Sequence, residues 1–158
     1  MSDPQALLDE AMATQVIFTD RRLPVPGDLR PDWRLAALML LLERCHGRAA
    51  TVQQIHVFGW GMLTEEGRRS MTSLDNRQQR PEMPVVRFDP AWSRVMDMAV
   101  GIELAEWTDS GRLSLTAEGK SVAAELWGRT DLMVEERTAL EGRRLTQALV
   151  DRLLSGSS

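Results

Sequence analysis

Lysine is nearly missing from this chain and tyrosine is missing altogether. Of the 19 basic residues, only Lys120 is not arginine, while tryptophan occurs five times. A single cysteine, Cys45, rules out an internal disulfide framework. With His46 and His56 as the only histidines, a zinc site would need a carboxylate to reach four ligands. No Gly-rich phosphate loop and no GxSxG, HExxH or CxxC motif is present. The longest strictly apolar run, Leu35 to Leu42, is eight residues, less than half of a membrane span. The first residues, MSDPQALLDE, carry acids where a secretory leader has positive charge. An excess of positive charge is lacking too, with 19 basic against 23 acidic groups and a net charge of -4. These absences exclude a polycation and argue against catalysis, a metal or a cofactor. The expectation is a cytoplasmic, non-catalytic protein, with one domain's worth of chain in 158 residues.

What is present is helical spacing with one interruption. Residues 1–31 hold Pro4, Pro24, Pro26 and Pro31 and read as an N-terminal arm, with a short helix over Pro4 to Thr14. From Asp32, a plausible N-cap, to His46 the apolar residues Leu35, Leu38, Met39, Leu42 and Cys45 follow helical spacing. Leu40 and Leu41 make this helix apolar almost all round, which places it mid-domain. Thr51 caps a second helix to Leu63, weakened by Gly59 and Gly61. Residues 64–88 show no sustained period and read as an inserted loop, with a short strand over Pro84 to Phe88. Asp89-Pro90 opens a helix with Trp92, Val95, Met96 and Ala99 inward, ending at Gly101. Ile102 and Leu104 then alternate with Glu103, Thr108-Asp109-Ser110-Gly111 is a turn, and Leu113 and Leu115 alternate again, which predicts a β-hairpin. Thr116 caps a helix over Ala117 to Trp127, and Asp131 to Leu154 reads as one long final helix in which Gly142 is a weak point. The terminal SGSS reads as a flexible tail.

The stretch GIELAEWTDSGRLSLTAEGKSVAAEL, residues 101–126, resembles the wing and following helix of many bacterial winged-helix proteins, with Leu115, Thr116 and Gly119 at the matching positions. The resemblance covers residues 32–127 and implies three helices followed by a two-stranded wing. The expected architecture is mainly α with a small β-hairpin. It comprises an N-terminal arm (1–31), a winged-helix domain (32–128) with an inserted loop (64–88), and a C-terminal helix and tail (129–158). The combination of LPVPGDLRPDWRLAALMLLLERC, TVQQIHVFGWGM and PVVRFDPAWSRVMDMAV is similar to the small middle components of bacterial ABC-type three-component defence systems. That similarity implies a partner: a large ATPase of the chromosome-maintenance and DNA-repair type.

Winged helices commonly read DNA, and here the charges oppose it. Residues 89–128 carry three basic and seven acidic groups, so this stretch alone matches the deficit of the whole chain. The hairpin offers Arg112 against Glu103, Glu106 and Asp109, and the preceding helix offers Arg94 against Asp97. Arg94 and Arg112 are the residues a DNA-binding transcriptional regulator would use, and that is the alternative reading. The preferred reading is an adaptor that binds protein subunits of a larger complex. Its candidate contact residues are Trp107 at the hairpin with Met96 and Met98 nearby, and the loop arginines Arg68, Arg69, Arg77 and Arg80. DNA contact would then be indirect, no membrane is involved, and homodimerisation stays open.

Overall fold

The computed structural model describes residues 30–75 and 89–155. The expected helix over Pro4 to Thr14, the strand over Pro84 to Phe88, Arg77, Arg80 and the last three residues of the tail lie outside the described residues. The fold is mainly helical, with a small three-stranded antiparallel sheet. In chain order the elements are α1 (Pro31–Arg44), a 3-10 turn (His46–Arg48), β1 (Ala49–Ala50), α2 (Val52–Leu63), α3 (Glu65–Asp75) and α4 (Pro90–Gly101). They continue with β2 (Ala105–Trp107), β3 (Leu113–Leu115), α5 (Ala117–Gly128), α6 (Val134–Leu140) and α7 (Gln147–Ser155). Among the described residues no helix is long and apolar enough to cross a membrane.

Helix α1 is the centre of the core, as its all-round apolar sequence requires. Leu38, Met39, Leu40, Leu41 and Leu42 are all buried, and the helix touches α2, α4, α5 and α6. Each such side chain contributes about 1.5–3 kcal/mol relative to exposure. The helix begins with Pro31 at its first position and Arg30 as N-cap. Asp32 therefore sits in the first turn, where its carboxylate faces the positive end of the helix, and is not the cap.

Among the described residues three glycines, Gly59, Gly67 and Gly119, are fixed by close approach. A Cβ on Gly59 would lie 2.3 Å from the Trp92 ring, so α2 lacks a side chain where α4 presses its tryptophan. A Cβ on Gly119 would lie 1.9 Å from the Leu104 carbonyl oxygen. The Leu115-Thr116-x-x-Gly119 pattern thus has a physical cause: the start of α5 is packed onto the backbone between α4 and β2.

Strand β3 lies between β1 and β2, with Ala50 and Trp107 both in register with Leu113. The Thr108–Gly111 turn forms as its residues predict, closed by Thr108 N–H donating to the Arg112 carbonyl at 2.8 Å, with Gly111 at φ 78°. The first hairpin strand is shifted from the expected Ile102–Leu104 to Ala105–Trp107. Helix α4 runs through Gly101 and ends at Ile102. Glu103 takes the left-handed conformation (φ 64°), its N–H donating to Val100 O, while Leu104 N–H donates to Ala99 O at 2.9 Å. This double closure is the Schellman arrangement, made without glycine at the left-handed position.

Two larger expectations are overturned. The inserted loop 64–88 contains a helix: α3 spans Glu65–Asp75 and packs on α2, α6 and α7. Met71, fully buried, anchors it. The single long C-terminal helix is broken into α6 and α7. Gly142 at φ 72° turns the chain, and Leu145 then forms a parallel bridge with Cys45, so residues 141–146 are spent on an extended crossing.

Candidate interaction surfaces

The hairpin end carries apolar side chains that the core does not use. Trp107 is 44% exposed, Ile102 50% and Met98 36%. They come from β2, the turn after α4, and the outer face of α4. Glu103, Glu106 and Asp109 are exposed at the same end. An exposed tryptophan loses water from a large area when a partner covers it, which is why such residues anchor protein interfaces.

Met96 does not belong to this surface. It is buried in the core beside Trp92 and Val95, since it shares their helical face, whereas Met98 falls two residues further round. Trp92 is buried, Trp33 and Trp127 are half-buried against the core, and Trp60 is half-buried. Trp92 is further fixed by Arg34, whose guanidinium lies 5.3 Å from the ring centroid and pairs with Asp89 at 2.8 Å. Asp89 is also the N-cap of α4, accepting from Ala91 N–H at 3.0 Å.

The arginines named from sequence divide by what they touch. Arg68 is half-buried on α3, donating to Met62 O at 3.0 Å and pairing with Glu135 at 3.3 Å. It serves the packing of α3 against α2 and α6. Arg69 is exposed and paired with Glu65 one turn earlier, which holds the Glu65 carboxyl below its ordinary range. Arg94 is exposed on the outer face of α4 with Asp97, and no basic stripe forms there. Arg112 turns away from that face: its Nη2 donates to His46 O at 2.8 Å and Ala49 O at 2.6 Å. This guanidinium ties the hairpin to the turn before β1, so its first role is structural.

A second site joins residues far apart in sequence. A solvent-open cleft of about 900 Å³ lies among the end of α1, the 3-10 turn, the start of β3 and the crossing before α7. Arg44, Arg48, Arg112, Arg143 and Arg144 line it, against one carboxylate, Glu43. Arg44 lies over the Trp127 ring at 4.2 Å, Arg48 donates to Glu43 at 3.1 Å, and Arg143 donates to Ala139 O at 2.9 Å. Arg48 holds a left-handed backbone (φ 54°) directly after Gly47 (φ 65°), a conformation that costs a non-glycine residue about 1 kcal/mol. Cys45 is also in the lining, and burial raises its thiol to about 12, with Arg112 opposing the shift. The thiol therefore stays protonated near neutral pH and is a poor nucleophile. Nothing in the spacing of these arginines marks them as a group, because three segments must meet before they do.

Comparison with family models, with characterised proteins and with solved structures finds no match to this chain.

Proposed function

We propose that this chain is a non-catalytic winged-helix adaptor that binds protein subunits of a larger complex through its hairpin end. The observation that carries the reading is Trp107, 44% exposed on β2 and surrounded in sequence by exposed acids. A duplex-reading surface at this place would need cations, and Arg112, the hairpin's one arginine, is engaged with backbone carbonyls. The winged-helix part rests on the sequence resemblance and on the element order. A strand between the first two helices pairs with the second strand of the hairpin, giving the order β1-β3-β2. The resemblance to middle components of three-component defence systems makes a large ATPase the expected partner.

Co-expression with the products of the neighbouring genes, followed by size-exclusion chromatography, tests the proposal. A co-eluting complex is expected, weakened about 30-fold by Trp107→Ala, the loss of one interface anchor worth about 2 kcal/mol. The same substitution should change the unfolding free energy by less than about 0.5 kcal/mol. A chain that elutes alone, or a complex indifferent to Trp107→Ala, would overturn it.

A further inference from the structure

We infer that the arginine-lined cleft is a binding site for a compact polyphosphate group of the kind carried by nucleotides. The inference goes beyond the adaptor reading and stands on another part of the molecule.

Three observations combine. The first is charge density: five arginines and one glutamate give the lining a formal net charge of +4, in a chain whose total is -4. Like charges gathered against a net opposite balance raise one another's energy unless an anion compensates them. The second is shape. At about 900 Å³ the cleft lies within the size range of small-molecule sites and is concave, unlike the broad surface a duplex needs. The third is the way the guanidiniums are held. Arg112 is fixed by two carbonyls through Nη2, Arg48 by Glu43 through Nε, and Arg44 by the Trp127 face. Each contact orients the planar fork, and Arg48 and Arg112 use one nitrogen in the contacts named. Such forks match phosphate oxygens in pairs. Arg144 is exposed at the rim. Gln54 and Gln147, joined to each other at 3.2 Å, add neutral amides to the wall.

The ligand must bring several negative charges in a small volume. A triphosphate does so with consecutive oxygens. A protein segment would need adjacent carboxylates, each on its own flexible stem.

Isothermal titration calorimetry of the full chain with inorganic tripolyphosphate at low salt tests this. ATP, octaglutamate and a short DNA duplex are titrated in parallel. Saturable binding of tripolyphosphate is expected, reduced about tenfold or more in the Arg48→Gln/Arg144→Gln double variant. Both side chains are at or near the rim, and circular dichroism checks that the variant is folded. Arg69→Gln, which removes a surface arginine outside the cleft, should leave the affinity within about twofold. ATP binding tighter than tripolyphosphate would identify a nucleotide as the source, and equal affinity would identify free polyphosphate. The inference is overturned by no binding at millimolar tripolyphosphate or by equal binding to the folded double variant. It is also overturned by octaglutamate or duplex DNA binding as tightly as tripolyphosphate.

Discussion

The hairpin end and the arginine cleft are built from the same composition in opposite ways. At the hairpin end, backbone closes on backbone: Glu103 and Leu104 end α4, and Thr116 N–H donates to Leu104 O at 3.1 Å. Glu103, Glu106 and Asp109 are exposed there, and Glu103 enters the closure through its backbone. At the cleft, arginine side chains add to the backbone bond from Leu145 N–H to the Arg44 carbonyl. Arg112 bonds the His46 and Ala49 carbonyls and Arg44 lies over the Trp127 ring, while Arg137, outside the cleft lining, meets the same ring and donates to the carbonyls of Trp127 and Arg129. A lysine ammonium in these places could not lie flat on an indole while its edge donors reach carbonyls. The near-absence of lysine therefore fits the way this end is held together.

Four experiments test that contrast. The largest effect belongs to the backbone-closed end. Gly119→Ala sets a methyl against the Leu104 carbonyl and should cost about 3 kcal/mol in urea unfolding. A loss below about 1 kcal/mol would mean that the closure can shift. Arg112→Ala comes next, because this residue starts on the hairpin and ends in the cleft. Losing its two carbonyl bonds should cost about 2 kcal/mol, measured the same way. Third, Glu103→Gly should add about 1 kcal/mol by relieving the left-handed strain, seen as a higher midpoint temperature.

The fourth experiment concerns His56, buried on α2. Burial lowers its basicity, and Asp89 partly offsets the shift. A depressed folded value means that the stabilisation is present above the ordinary histidine range near 6.5 and is lost as pH falls through the folded value. Unfolding curves from pH 7 to 4 should show that loss, and His56→Gln should flatten it. An unchanged slope would place the acid response elsewhere.

Much of the hairpin end was legible in the sequence. Thr51, Asp89 and Thr116 cap helices because their side chains accept backbone N–H groups locally, and the Thr108–Gly111 turn needs only its own residues. Gly101 does not stop α4, although glycine is a frequent stop: the left-handed position falls on Glu103, beside the buried Leu104. Helix α3 was hidden because only Met71 and Leu74 are apolar between Glu65 and Asp75. Its buried face is formed by Gly67, Ser70 and Met71, with Met71 against Gly61, so the periodic side consists mostly of small residues that carry no apolar signal. Strand β1 is two alanines, which carry no strand signal until β3 pairs with them. The cleft was invisible for a related reason. Arg44 and Arg144 lie a hundred positions apart and meet because Cys45 and Leu145 bridge.

That bridge also orders events in time. Leu145 N–H donates to the Arg44 carbonyl at 3.3 Å, a pairing that spans most of the described chain. During synthesis α1 leaves the ribosome long before Leu145 exists, so its end waits with an unanswered carbonyl. Closing so long a loop is entropically slow compared with forming the hairpin, whose partners are neighbours. The hairpin end is thus able to mature early, and the arginines converge only when the last helices dock.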